Sequence, residues 1–230
     1  MSPLTNIDAV ILDIEGTVGS ISFVKEVLFP YAAMHLPDYV HKHADEPSIL
    51  QLLQEVRTLE NNQHLTLNEC IERFLAWIQA DKKITPLKTL QGMIWKDGFI
   101  KGSFTGHLYA DAYQAMRFWH ESGMPLFIYS SGSITAQKLY FQYSGFGNLL
   151  AWFAGYFDTT IGSKLEAASY LAIADAIQHK SERLLFFSDN LEELDAARQA
   201  GLQTMWVNRS GLAPNKTHPE IKDFSQAVTK

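Results

Sequence analysis

Two carboxylates near the start of the chain have the type and spacing for metal-assisted phosphate chemistry. Asp13 and Glu15 lie two residues apart and follow the apolar run Ala9–Leu12. Alternate side chains of an extended segment point to the same side, so these carboxylates would repel each other unless a cation lay between them. A divalent cation would relieve the repulsion and would also neutralise the oxygens of a phosphate group.

Further polar residues follow two later apolar runs. Ser130 and Ser131 come directly after the run 126–129, and Asp189 comes two residues after the run 184–187. Ligands of open parallel α/β sheets bind beyond the carboxyl ends of the strands. Hydroxyls and backbone N–H groups at a helix start can hold a phosphate. We therefore expect these three polar residues to gather at one edge of a sheet.

A lysine lies between these two groups, in the segment IGSKLEA. Ser163 and Glu166 have the spacing of a capping box, which predicts a helix that begins here with Lys164 in its first turn. The helix dipole disfavours a cation at that position, so a bound anion or nearby carboxylates are expected beside the ammonium group.

A second predicted helix start lies at Asn190, which can be an N-cap. Glu193 is then either its capping partner or an orienting residue, and we do not place it among the residues that contact metal or phosphate.

The apolar runs have the character of buried parallel strands. They are nearly continuous rather than alternating, as is typical of strands covered on both faces. Apolar residues at helical spacing lie between them, over 112–119, 165–177 and 191–200. Strands that alternate with helices predict right-handed crossovers and a Rossmann-like α/β fold with a parallel sheet. The predicted strands are Ala9–Leu12, Leu126–Tyr129, Leu184–Phe187 and Thr204–Val207.

The stretch after the first strand interrupts this alternation. Apolar residues at helical spacing occur over 49–56 and 70–78, and Thr85-Pro86 is a typical helix start, but no strand pattern is present. We interpret residues 21–106 as an all-helical insertion. The α/β core is then predicted to comprise residues 1–20 and 107–230.

Composition excludes several classes of function. The chain has 230 residues and a formal net charge of −6, which argues against a nucleic-acid-binding surface. Cys70 is the single cysteine, so no intramolecular disulfide can form. No signal peptide or membrane-spanning stretch is evident. We expect a cytoplasmic protein that binds neither nucleic acid nor membrane.

The motifs together resemble the haloacid dehalogenase superfamily of aspartate-nucleophile phosphatases. The shared features, in chain order, are a DxDxT-like motif, a serine at a strand end, an isolated lysine and a final aspartate. More narrowly, the chain is similar to the enolase-phosphatase family of methionine salvage over nearly its whole length. The segments that carry this similarity are DIEGT, LQGMIW, YSSGS followed by AQK, FDTTIGSKLE and FFSDNLEE.

The resemblance implies a role for each candidate residue. Asp13 would attack phosphorus and form an aspartyl phosphate, and Glu15 would protonate the leaving oxygen and later activate water. One Mg²⁺ would be bound by the Asp13 carboxylate, the Glu15 main-chain carbonyl and Asp189. The residues implied in phosphate binding are Ser130, Ser131 and Lys164. The resemblance also implies a monomer and a helical cap that closes over the site.

The implied substrate is a phosphorylated diketone. An enolase-phosphatase enolises 2,3-diketo-5-methylthiopentyl 1-phosphate and then hydrolyses the enol phosphate to acireductone and phosphate. The alternative enzyme is a generic Mg²⁺-dependent phosphatase acting on another small phosphate ester. The alternative outside enzymology is a phospho-accepting signalling or interaction module, because receivers also carry an aspartate at a parallel strand end.

Overall fold

The computed structural model of the chain describes residues 6–82, 84–213 and 216–228. The chain forms two compact units. One unit contains the residues up to Ile21 together with those from Thr105 onward, and the other contains Ser22–Phe104. None of the helices in the described part of the chain has both the length and the apolar composition that a membrane crossing requires.

The first unit is built on a six-stranded sheet in which all neighbouring strands are parallel. The strands are β1 (Ala9–Leu12), β2 (Leu126–Tyr129), β3 (Phe153–Phe157), β4 (Leu184–Ser188), β5 (Gln203–Val207) and β6 (Glu220–Ile221). Their order across the sheet is β3-β2-β1-β4-β5-β6. Each residue of β1, β2 and β4 is buried, as expected for strands covered on both faces. The predicted parallel α/β fold is confirmed.

The helices divide between the two units. Among the described residues, the four α-helices of the second unit and the first α-helix of the first unit lie between β1 and β2 along the chain, and the other three alternate with the later strands. Those of the second unit are α1 (Phe29–Lys42), α2 (Pro47–Leu59), α3 (Leu67–Gln79) and α4 (Thr85–Ile100). Those of the first unit are α5 (Ala110–Glu121), α6 (Ile134–Gln142), α7 (Ala167–Ala176) and α8 (Leu191–Gln199).

The regular secondary structure of the second unit is entirely helical in its described residues, with turns and loops between the helices. Its helices enclose a core of their own, which includes the fully buried residues Leu36, Val56, Phe74 and Leu90. A π-helical turn, Phe23–Leu28, leads directly into α1. The helices of this unit fit the all-helical insertion predicted from sequence, and the predicted bounds at residues 21 and 106 and the role as a cap stay predictions.

Two of the six strands, β3 and the two-residue β6, were missed by the sequence prediction. β3 pairs with β2 at one edge of the sheet, but Ala154 and Gly155 occupy its interior. Both residue types are rare in strands because they offer little side chain for packing. An apolar run interrupted in this way does not show the strand in the sequence.

Candidate functional site

The candidate residues lie where neighbouring strands end. Asp13 follows β1, Ser130 follows β2, and Asp189 follows β4. These three strands are adjacent in the sheet, in the order β2-β1-β4. Parallel strands present their carboxyl ends at one edge, so the three residues meet at the same edge although they are far apart in sequence.

Asp13 is the centre of the cluster. Its side chain is buried, with 3% of the residue exposed. Its Oδ1 lies 2.5 Å from the Lys164 ammonium nitrogen, and its Oδ2 accepts a hydrogen bond of 2.8 Å from the Thr17 hydroxyl. Both oxygens of this carboxylate are therefore held in place by side chains from other parts of the site.

Lys164 lies between two carboxylates. Its Nζ is 2.7 Å from Glu193 Oε2 in addition to its contact with Asp13. Burial would lower the pKa of Lys164, but the charges of Asp13 and Glu193 outweigh burial and raise it above the usual value, so the ammonium stays charged. A single cation thus pairs with the carboxylates of both Asp13 and Glu193. Burial and the nearby Asp13 charge raise the pKa of Glu193 to about 7.

Glu15 faces the loop that follows β2. The Ser130 hydroxyl donates to its carboxylate, at 3.0 Å from Oε2 and 3.2 Å from Oε1. Burial, and then the charge of Asp13, raise the pKa of Glu15 above its usual value. Ser130 is fully buried, whereas the neighbouring Ser131 is exposed on the same loop. The carboxyl group of Glu15 therefore holds a proton more readily than an ordinary glutamate.

Side chains behind this loop fix its backbone. Ser133 is the N-cap of α6 and accepts a hydrogen bond from Ala136 N. The buried Gln137 amide donates to Gly132 O at 2.7 Å and to Phe157 O at 2.8 Å. These bonds connect the loop that carries Ser130 and Ser131 to the end of β3.

Asp189 is connected to Asp13 through one hydroxyl. Thr17 donates to Asp13 and accepts a hydrogen bond of 2.9 Å from Asp189 N. Asp189 is exposed as a residue, but the protein atoms around its carboxylate desolvate it. Desolvation and the charge of Asp13 raise its pKa to about 6. Thr17 was not predicted as a site residue, although it belongs to the DIEGT segment.

The capping box predicted around Lys164 was wrong. Helix α7 begins at Ala167 with Glu166 as its N-cap, and no side-chain cap is present. Ser163 Oγ instead accepts from Leu165 N, and Lys164 lies in a turn before the helix. The helix dipole therefore does not act on Lys164 as predicted. The ammonium group instead contacts the carboxylates of Asp13 and Glu193.

The sequence allows two roles for Glu193, a capping partner of Asn190 or an orienting residue, and the structure distinguishes them. Asn190 is the N-cap of α8, but it accepts from Glu192 N, and the Glu193 side chain points elsewhere. That side chain accepts from the Ser188 hydroxyl at 2.9 Å and contacts Lys164. Glu193 thus belongs to the charged cluster and is not a capping partner.

The donor set fits a divalent cation. In the described part of the chain, no three His, Cys, Asp or Glu side chains converge closely enough to hold a metal ion by themselves. The expected set uses two carboxylates and one main-chain carbonyl, with water and phosphate as the remaining ligands. The Thr17 hydroxyl links the Asp13 carboxylate to the main-chain nitrogen of Asp189, and desolvation, followed by the charge of Asp13, raises the pKa of Asp189. A cation between the two carboxylates would favour their ionised forms.

Substituting Gly16 should disturb this donor set selectively. Gly16 has φ +80°, and a Cβ there would overlap Asp189 Oδ2. We expect Gly16→Ala to weaken Mg²⁺ activation at least about tenfold, because the Asp189 carboxylate must move. Gly123→Ala is the matched control, since Gly123 has φ +74° and nothing within 4 Å of its Cβ position. Both variants should lose roughly 1–2 kcal/mol of stability from strain, and only Gly16→Ala should require more Mg²⁺. Equal activation curves would contradict the prediction.

The metal-free protein should lose stability as the pH rises. Glu193 has a pKa near 7 in the folded protein, compared with 4.5 for an unperturbed glutamate. The folded state therefore binds this proton more tightly, so Glu193 stabilises it below about pH 4.5 and this contribution fades up to about pH 7. Urea denaturation in EDTA should show that Glu193→Gln gains stability relative to wild type across this window, by up to about 3 kcal/mol. A difference that does not change with pH would contradict the assignment.

Comparison with known proteins places the chain in a family. Residues 7–201 match the family model described as haloacid dehalogenase-like hydrolase. The chain belongs to this hydrolase family, as the sequence motifs indicated. It belongs more narrowly among the enolase-phosphatase E1 proteins, because curated relatives with that name match it over almost their entire length.

Two of these relatives come from bacteria of different genera. The enolase-phosphatase E1 of Pseudomonas aeruginosa strain UCBPP-PA14 is 48% identical over 224 residues, which cover 97% of this chain and 99% of that protein. The enolase-phosphatase E1 of Aquifex aeolicus is 44% identical over 220 residues, covering 96% and 98%. Among solved structures, the Unknown transcript 4 protein of Saccharomyces cerevisiae is 36% identical with a TM-score of 0.78, covering 95% of this chain and 98% of that one.

Proposed function

We propose that this protein enolises 2,3-diketo-5-methylthiopentyl 1-phosphate and then hydrolyses the enol phosphate to acireductone and phosphate, in methionine salvage. The observation that supports this most directly is the pairing of Asp13 with Lys164 beside the Ser130–Glu15 contact, at the carboxyl edge of the sheet. Similarity to the enolase-phosphatase E1 proteins supports the choice of substrate. A cytoplasmic monomer stays the sequence-based prediction.

In the first half of the hydrolysis, Asp13 is the nucleophile. A carboxylate oxygen of Asp13 bonds to phosphorus, and the bond from phosphorus to the enol oxygen breaks. Glu15 gives its proton to that leaving oxygen, a role that its raised pKa favours. Lys164 neutralises the charge of the nucleophile and of the phosphate.

In the second half, water releases the phosphate. Glu15, now ionised, takes a proton from a water molecule whose oxygen attacks phosphorus. The bond between phosphorus and the Asp13 oxygen breaks, which restores the free carboxylate and frees phosphate. Ser130 and Ser131 hold the phosphate oxygens during both steps, and Gln137 keeps their loop in place.

Hydrolases of this family generally use Mg²⁺. Here we propose one ion, held by the Asp13 carboxylate, the Glu15 main-chain carbonyl and Asp189. When bound, it supplies positive charge that stabilises the phosphate oxygens and the enolate.

The decisive experiment follows two products at once. The purified protein is given the diketo phosphate with Mg²⁺, and acireductone absorbance and inorganic phosphate are recorded together. Equal amounts of both products are expected. Release of phosphate from glycolate or sugar phosphates, with no turnover of the diketone, would support the generic phosphatase instead. A long-lived aspartyl phosphate without turnover would support the signalling module.

A further inference from the structure

The turn that carries Lys164 is held by a set of buried hydroxyls. Three consecutive main-chain carbonyls of this turn each accept one hydrogen bond from a hydroxyl outside it. The three bonds are Tyr129 Oη to Gly162 O at 3.0 Å, Ser169 Oγ to Ser163 O at 2.7 Å, and Tyr170 Oη to Lys164 O at 2.8 Å. We refer to Tyr129, Ser169 and Tyr170 as the hydroxyl cradle.

The donors of the hydroxyl cradle lie in the interior of the protein. Tyr129 and Tyr170 are fully buried, and 2% of Ser169 is exposed. Burial raises the pKa of both tyrosines, so each phenol keeps its proton and donates to a carbonyl that can only accept. The turn precedes α7 and has no regular structure of its own, so these hydroxyls supply partners that a helix or strand would otherwise give its backbone.

A fixed backbone matters particularly for a lysine. Its long side chain has many rotamers, so a small displacement of the Cα atom can carry the ammonium away from its partners. Lys164 Nζ also lies 5.7 Å from the ring centre of Tyr129 and 5.9 Å from that of Phe186. Tyr129 of the hydroxyl cradle therefore donates to the backbone of the turn and also places its ring beside the Lys164 ammonium group.

The close approach of the turn to α7 is visible at Gly162. A Cβ on this residue would overlap Ser169 Oγ, and its φ of +143° suits glycine. The turn is thus packed directly against the residues that donate to it. This packing leaves little freedom in the position of Lys164.

We propose that Tyr129, Ser169 and Tyr170 are positioning residues that hold Lys164 in place for phosphate binding. The proposal rests on the proposed function, because it takes Lys164 as a phosphate ligand. The hydroxyls do not touch the phosphate and act only through the turn. Removing the Tyr170 hydroxyl takes away the donor to Lys164 O, and removing the Ser169 hydroxyl leaves Ser163 O with the 3.1 Å bond from Glu166 N. In either case the turn shifts to recover the lost bond, and Lys164 moves with it.

A double-mutant cycle tests this dependence. Affinity for inorganic phosphate is measured by calorimetry with saturating Mg²⁺ for the wild type, Tyr170→Phe, Lys164→Met and the double variant. We expect Tyr170→Phe to bind phosphate about tenfold more weakly. In the Lys164→Met background the same change should have no further effect, because the lysine through which Tyr170 acts is gone. Equal losses in both backgrounds would overturn the proposal.

A serine pair controls for general loss of stability. Ser169→Ala removes a buried hydroxyl from the hydroxyl cradle, and Ser144→Ala removes one that donates to Gly147 O at 2.6 Å in another loop. Both variants should unfold at similarly reduced urea concentrations, but only Ser169→Ala should weaken phosphate binding. Equal phosphate affinities in the two folded variants would also overturn the proposal.

The phosphate measurement separates this proposal from the choice of substrate. Inorganic phosphate is a product of any phosphatase, so a failure to turn over the diketone would leave the cycle readable. If Lys164→Met bound phosphate as tightly as the wild type, the proposed role of Lys164 would fail and the role of the hydroxyl cradle with it. If Lys164→Met weakened binding and Tyr170→Phe did not, only the hydroxyl cradle would be refuted.

Discussion

Replacing Asp13 by asparagine should lower kcat for phosphate release by at least about 10⁴-fold, because an amide cannot form the aspartyl phosphate. The variant should fold, since neutralising this buried carboxylate removes its repulsion of Glu193, Asp189 and Glu15. Steady-state assays with the diketo phosphate measure the loss. Acid-quenched wild-type enzyme should carry one added phosphoryl group on Asp13, and the variant should carry none.

The matched control for this change is Asp175→Asn. Asp175 is an exposed aspartate on α7, outside the cluster, so its substitution should leave kcat within the error of the assay. A folded Asp13→Asn protein that released phosphate within about tenfold of the wild-type rate would rule out Asp13 as the nucleophile. Phosphorylation found on another residue would do the same.

Replacing Lys164 by methionine should have the second largest effect. Methionine has a similar length but no charge, so both the phosphate and the Asp13 nucleophile lose a cation. We expect kcat/KM to fall by about 10³-fold. Because Asp13 and Glu193 would then be buried together without a counter-ion, the free energy of unfolding should also fall, by roughly 3–5 kcal/mol at a pH where both are ionised.

The loss of stability should depend on pH. Glu193 already has a pKa near 7, and without the lysine it would take up a proton even more readily. Urea denaturation at about pH 5.5 should therefore show a smaller difference from wild type than at about pH 8. Lys180→Met, a change at an exposed lysine, should alter neither stability nor activity measurably. An equal loss of stability for Lys164→Met at both pH values would contradict the shared-cation arrangement.

Much of the sheet could be predicted because its signal is local. β1 and β2 match the predicted bounds, and β4 and β5 each extend one residue beyond them. Their continuous apolar runs reflect burial on both faces, which the sequence records directly. β3 lies within the apolar stretch 149–157, but Ala154 and Gly155 have low strand propensity and the strand is only partly buried, so its hydrogen bonds to β2 decide that it is a strand.

The sequence predicts which residues of the candidate site lie near one another, but not which of their atoms make contact. Parallel strands end at one edge, so Asp13, Ser130 and Asp189 had to lie near one another. The prediction that anions lie beside Lys164 agrees with its contacts to Asp13 and Glu193. The predicted cause, a helix dipole acting on Lys164 in the first turn of α7, was wrong. The helix begins three residues later than the capping box indicated, because the turn finds its hydrogen bonds in the hydroxyl cradle instead.

By itself, the sequence determined which elements form and which chemical groups stand at their ends, because periodicity and residue type act over a few neighbouring positions. Only the tertiary structure decided which groups touch. Ser130 donates to Glu15 across 115 residues of chain, and Lys164 meets Asp13 across 151. Such contacts depend on the strand order β2-β1-β4 and on where each crossover returns to the sheet. The tertiary structure also decided the partner of Glu193, which contacts Lys164 at 2.7 Å instead of capping its own helix. The N-terminus of that helix is already capped by Asn190.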